Sequence, residues 1–202
     1  IMINIYDYET LSTDLRTAPV VNIAAMSIDE DHFLSDTPYT YMDIVDQAKE
    51  MKFDVKDQVE NYGRVINKDT LDWWKNQGPD ALKQLAPSPD DHSIEDLPGF
   101  LRGVLSSGDL VYTRGNSFDP VLTTSIFDML GQHEPYKFWV VRDTRSFLEG
   151  IAVGHGLSIK NSFIPKGVPE GAFIAHNPSH DIAMDVYRMQ SLLRGVYYNE
   201  PI

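Results

Sequence analysis

Two apolar runs open the chain, each ending in polar residues. Residues 1–8 and 20–28 (Val20-Val21-Asn22-Ile23-Ala24-Ala25-Met26-Ser27-Ile28) read as strands joined by a short polar stretch, hence antiparallel. Residues 39–45 give a third strand candidate, with Tyr39, Tyr41 and Ile44 in loose alternation. From Lys68 the period lengthens to that of a helix, over Asp69 to Gln77, stopped by Gly78-Pro79 and resumed from Asp80 to Ala86. Residues 93–106 form another helix candidate, interrupted by Pro98-Gly99, and 109–113 a strand. Helices near 118–131, 143–153 and 179–197 complete the pattern. A meander of strands followed by alternating helices and strands predicts an α/β fold, a mixed sheet with helices packed on it.

Length and composition limit what this pattern can build. A chain of 202 residues that is 42% hydrophobic supports one domain, residues 1–202, with a substantial core. No internal repeat or long linker divides it. No run approaches the roughly 18 apolar residues of a membrane span, and the N-terminus shows no basic n-region or cleavage site, so a secretory signal is not expected and Met2 reads as the start. The expectation is a soluble, cytoplasmic protein that makes no membrane contact. The absence of cysteine excludes disulfides, thiolate metal sites and a cysteine nucleophile.

A net charge of −13 argues against a generic duplex binder. The charge is unevenly spread: residues 28–60 carry ten acidic residues against three lysines, whereas residues 137–166 carry five basic against two acidic. A local basic rim and bound cations still permit binding of a phosphate chain.

Three segments carry candidate chemistry. Asp7 and Glu9 end the first strand two residues apart, so they point the same way and repel. A hard divalent cation between them would offset that repulsion, and solvation at the strand end is the simpler alternative. In Thr113-Arg114-Gly115-Asn116-Ser117-Phe118-Asp119-Pro120, Gly115 permits a tight turn and Asp119-Pro120 reads as N-cap and first helical residue. Asp119 either caps that helix or reaches a metal shared with Asp7. The third segment begins at His176, with Asn177 as N-cap and Pro178 as first helical residue. Ile182, Val186, Met189 and Leu193 form its buried stripe, Asp181 and Asp185 lie on one flank, and His180 projects toward solvent. The spacing His-x-x-x-x-Asp occurs twice, as His176 with Asp181 and as His180 with Asp185. A loop histidine can approach an attacking water, which favours the first pair.

Taken together, Asp7-x-Glu9, Asp119 and His176-x-x-x-x-Asp181 resemble the DEDDh exonucleases, which share a ribonuclease-H-like fold. The similarity is greatest to the exonuclease A (DexA) branch of T-even-like bacteriophages and related 3′–5′ exoribonuclease-like proteins. It extends through Thr70 to Gln77, Ala86-Pro87-Ser88, Arg114-Gly115-x-Ser117-Phe118-Asp119, Lys137-Phe138-Trp139-x-x-Arg142-Asp143 and Pro165-Lys166-Gly167, nearly the whole chain. The resemblance implies two divalent ions, Mg²⁺ or Mn²⁺, held by Asp7, Glu9, Asp119 and Asp181, with His176 as general base. It implies hydrolysis of single-stranded nucleic acid from the 3′ end, DNA favoured and RNA open, in the host cytoplasm if the gene is a phage's. It also places Thr10 and Leu11 at the terminal nucleotide. Oligomeric state is left open.

Among the remaining residues, Trp74 follows Leu71 by three positions and is expected in the core. Trp73 is then left either to stack on a base or to pack partly buried against its neighbours. Arg114, Arg142 and Arg145 are candidates to steer phosphates. His32, His92, His133 and His155 have no carboxylate or histidine at metal-ligand spacing in the sequence and are expected to be incidental.

Overall fold

The structure, a computed structural model, describes residues 1–158 and 160–196. In chain order its elements are β1 (Met2–Thr10), β2 (Val20–Asp29), α1 (Tyr41–Gln47), β3 (Lys49–Lys52), α2 (Val55–Asn61), α3 (Lys68–Lys75) and α4 (Pro79–Leu85). There follow α5 (Leu97–Val104), β4 (Leu110–Thr113), α6 (Asp119–Met129), β5 (Val141–Asp143), α7 (Thr144–Gly154) and α8 (Pro178–Leu193). The five strands form one sheet in the order β3-β2-β1-β4-β5. β2 is antiparallel to β1 and to β3, while β4 runs parallel to β1 and β5 parallel to β4. The sheet is mixed and has helices on both faces, as the sequence predicts.

Alternation along β1 divides the core. Ile3 and Ile5 face one side, where Ala24, Met26 and Ile28 of β2 join them beneath Ile182, Val186, Met189 and Leu192 of α8. Tyr6 and Tyr8 face the other, with Ile23, Ala25 and Val111, under Leu97 and Leu101 of α5 and Leu122, Ile126 and Phe127 of α6. A smaller cluster of Leu11, Val21, Trp74 and Ala81 closes the end of the sheet. Trp74 is buried there and its indole Nε1 donates to the Thr10 carbonyl oxygen at 2.9 Å. Truncating a fully buried member such as Ile5 to Ala would cost about 2–5 kcal/mol.

The sequence expectation fails at three places. Residues 39–45 are not a strand. Thr40 caps α1 through a reciprocal capping box with Asp43, and Tyr41 and Ile44, three apart, are buried on one helical face. The third strand is Lys49–Lys52, a polar edge strand with no apolar alternation to reveal it. Pro98 lies in the first turn of α5, so it helps start the helix at Leu97. α2 and the three-residue β5 carry patterns too short to read from periodicity. α8 ends at Leu193, and residue 197, to which the expected helix extends, lies outside the described residues. Among the described residues no helix is long and apolar enough to cross a membrane.

Candidate active site

Because β1 and β4 are parallel, the end of β1 and the loop after β4 emerge at the same edge of the sheet. Ligands of open α/β sheets collect at this edge. Asp7 and Glu9 lie on the α8 face, since they continue the set Ile3, Ile5. They are also the two positions between Ile3 and Thr10 that are not fully buried. The apolar floor under α8 therefore ends in two carboxylates. A register irregularity falls between Glu9 and Thr10, at the point where the strand leaves the ladder.

Asp119 arrives from β4. Gly115 has φ +109°, and a Cβ there would lie 2.8 Å from Arg145 Nη1, so the turn needs glycine. Asp119 is the first residue of α6 rather than its cap, Phe118 occupies the cap position, and no side chain caps the helix. The Asp119 carboxylate instead accepts from the Tyr8 backbone N–H at 3.0 Å, which fixes it against β1. Behind it, Thr123 Oγ1 donates to the Asp119 carbonyl oxygen and lies 3.1 and 2.9 Å from the hydroxyls of Tyr6 and Tyr8. Asp181 comes from the first turn of α8.

A cavity of about 610 Å³ joins these groups, lined by Asp7, Glu9, Arg114, Asp119, Arg145, Phe173, His176 and Asp181 among others. Ligand atoms of Glu9, His176 and Asp181 all lie within 4.8 Å of one another. Asp7 and Asp119 share the cavity wall but stand outside that triad. Burial is the main cause that raises Asp7 well above the usual carboxylate range, and the charges of Asp119, Glu9, Asp181 and Asp185 add to it. Glu9 is raised by burial and then by Asp181 and Asp119. Asp119 is lifted to about 7 by burial, against the Tyr8 hydrogen bond and the charge of Arg145. Asp181 also reaches about 7, through burial and then Asp185, opposed by Arg114 and Arg188. Burial lowers His176, so its imidazole is neutral at neutral pH.

The two histidines of the third segment occupy different surroundings. His176 sits on the loop before α8, and Asn177 accepts from the Ser179 and His180 backbone N–H groups as the expected cap. His180 does not project into solvent. It is half-buried, and its Nδ1 pairs with the Tyr41 hydroxyl at 2.8 Å. The reason is that α1, unforeseen from the sequence, lies against α8. His92 likewise has a partner, Asp96, at 3.1 Å on the surface.

Arg114 borders the cavity, but its guanidinium donates to Asp185 at 2.8 Å and to the Asn161 side chain at 2.7 Å. Asp185 also accepts from Arg188 at 2.9 Å and from Thr144 Oγ1 at 2.7 Å. Arg145 is exposed at the cavity mouth, held by the Arg114 carbonyl oxygen at 2.9 Å. Trp73 is 44% exposed and meets the His176 ring edge-on at 4.8 Å. Thr10 and Leu11 are buried, and Thr10 Oγ1 donates to the Ser12 carbonyl oxygen. Sequence reasoning missed the buried Asp185–Arg188 pair, although their i, i+3 spacing on the helix was a usable signal.

Residues 2–180 match the family described as the 3′-5′ exoribonuclease Rv2179c-like domain. An exodeoxyribonuclease of Enterobacteria phage T4 is 31% identical over 209 residues, covering 94% of this chain and 88% of that protein. The chain belongs to the Rv2179c-like exonuclease family. This Rv2179c-like chain is therefore an exonuclease, a hydrolase of phosphodiester bonds. Solved exonuclease I structures share its fold. One is E. coli exonuclease I in complex with a dT13 oligonucleotide (TM-score 0.60, 12% identity) and another the enzyme of Methylocaldum szegediense (TM-score 0.60, 13% identity). Each covers 96% of this Rv2179c-like chain, which spans about two-fifths of their length (41% and 40%). The fold is thus the ribonuclease-H-like one of the DEDD exonucleases.

Proposed function

We propose that this chain is a metal-dependent 3′–5′ exonuclease that removes nucleotides from single-stranded DNA and releases nucleoside 5′-monophosphates. One observation carries the reading: four carboxylates and a neutral histidine face a single cavity, with Asp119 and Asp181 both displaced to about 7. Such a set of hard oxygen donors fits Mg²⁺ or Mn²⁺, with Asp7, Glu9, Asp119 and Asp181 as the holding residues. Two such ions, when bound, supply activation of the attacking water and charge neutralisation at the scissile phosphate.

The other steps belong to the chain's own residues. His176 accepts the proton of the attacking water, a task that needs an unprotonated imidazole, and burial provides it. Arg145, exposed at the mouth, is placed to pair with a backbone phosphate. Trp73, against the His176 ring, offers an exposed face on which the terminal base would stack at the cavity, whereas Thr10 and Leu11 are buried and support the end of β1 from within. Arg114 borders that space with its charge already engaged by Asp185, so it shapes the cavity and leaves the phosphate to Arg145. A surface with net charge −13 lacks the charge to grip or open a duplex, which favours unpaired ends. Removal of RNA nucleotides is the second reading, favoured by the family's description as exoribonuclease domains, whereas the phage T4 relative is an exodeoxyribonuclease.

Digestion of matched 3′-labelled and 5′-labelled single-stranded DNA and RNA with Mg²⁺ or Mn²⁺ tests polarity and sugar preference together. Immediate release of label from 3′-labelled DNA, with a ladder from the 5′-labelled strand, is expected. Full activity after chelation, or release beginning at the 5′ end, would refute the proposal.

A further inference from the structure

The structure assigns Gln84 as the positioning residue of His176, an inference that rests on His176 being the general base. His176 is the one non-glycine residue with positive φ among the described residues, at 60°. This backbone is unfavourable for a residue with a Cβ and persists where its surroundings hold it. Gln84 Nε2 donates to the His176 carbonyl oxygen at 2.6 Å, the His176 backbone N–H bonds the Asp181 carboxylate, and Trp73 and Trp74 meet the imidazole edge-on.

Gln84 is itself anchored. Its Oε1 accepts from Asn22 Nδ2 at 3.0 Å. Asn22 is the β2 partner of Glu9, so the two share a face of the sheet. A line of hydrogen bonds therefore runs from the strand beside Glu9, through α4, to the backbone of His176. The His176 ring then closes the circuit to within 4.8 Å of Glu9 and Asp181. A glutamine suits the position because one amide must accept from Asn22 and donate to a carbonyl oxygen. A glutamate could not donate, and an apolar residue could do neither. Gln84 does not line the cavity, so its effect passes through His176 and not through the substrate. Left-handed backbone at His176 lets its carbonyl face α4 while its ring faces the carboxylates.

The test is Gln84→Met, which keeps length and the apolar stem, with Gln84→Ala as a second variant and thermal melts to confirm folding. With a 3′-labelled single-stranded oligonucleotide and saturating Mn²⁺, kcat should fall about tenfold or more with KM within about twofold. On a His176→Ala background the same substitution should change kcat by less than about twofold, since its effect is already gone. A crystal structure of Gln84→Met should show His176 moved from its positive φ. Equal losses on both backgrounds, or an undisturbed kcat, would overturn the inference. If His176→Ala alone leaves kcat intact, the base assignment fails separately. The variant structure then decides positioning, and His176 unmoved at positive φ would overturn it.

Discussion

Asp181 and Asp185 lie one turn apart on the same flank of α8, yet the molecule treats their charges in opposite ways. Asp185 is 1% exposed and is met by Arg114, Arg188 and Thr144, so its charge is balanced within the fold. Asp181 opens onto the cavity among Asp7, Glu9 and Asp119, and it is raised to about 7. One carboxylate has its counter-charge built in, while the other is left for something supplied from outside. Both satisfy the same His-x-x-x-x-Asp spacing, so spacing finds the carboxylate and its partners decide the role. A buried charge with tailored partners ties elements together, here α8 to α7 and to the loop after β4. A cluster of unbalanced carboxylates costs stability and signals a cation site.

The sharpest way to break this contrast is to neutralise each aspartate. Asp181→Asn should lower cleavage by about 10⁴-fold or more, since ligands of a shared ion fail as a unit. Its fold should persist, as a melt in chelator will show. Wild-type turnover in this variant would remove Asp181 from the site. Asp185→Ala should instead cost about 3–5 kcal/mol of unfolding free energy, because Arg188 would be left buried, and Arg114 half-buried, without their shared partner. Urea denaturation measures this, and a loss under 1 kcal/mol would mean the cluster holds little together.

A smaller effect comes from pH. Asp119 and Asp181 bind protons more tightly in the folded state, near 7, than their ordinary value of 3.8. Between about pH 4 and 7 the unfolded chain releases protons that the folded chain keeps. Metal-free stability should therefore fall as pH rises through that window and level off above it. After allowance for relaxation, Asp181→Asn should recover about 1–2 kcal/mol at pH 8 and almost nothing at pH 4. Urea midpoints in chelator at the two pH values decide it, and an equal gain at both would contradict the linkage. The smallest effect is expected at His180. His180→Ala should keep turnover within a few-fold of the parent, because its ring is occupied by Tyr41. A large loss would transfer the base to His180.

Much of this was legible in the sequence. Period-two alternation put Asp7 and Glu9 on one side, and the strand–turn–helix around Gly115 and the Asn177-Pro178 start of α8 brought Asp119 and Asp181 within the same reading. Three things were hidden. α1 carries too few residues for its period to outweigh the β-rich look of Tyr39 and Tyr41, and it is α1 that turns His180 inward. The Asp119 carboxylate looked like a cap because chain order cannot show the Tyr8 N–H that claims it. Gln84 and Asn22 meet their partners across elements distant in sequence, where no spacing rule applies.

The position of β1 has a consequence in time. It lies between β2, its antiparallel neighbour, and β4, its parallel one, with α8 across one face. The hairpin with β2 is local and can form early, whereas pairing with β4 and docking of α8 require closure of long loops. On the proposed roles of Asp7, Glu9, Asp119 and Asp181, catalytic competence draws on both, so nuclease activity should report completion of folding and not its onset. During refolding, strand formation will be seen before the first bond is cut, and a protein halted between the two stages will be structured yet harmless to nucleic acid.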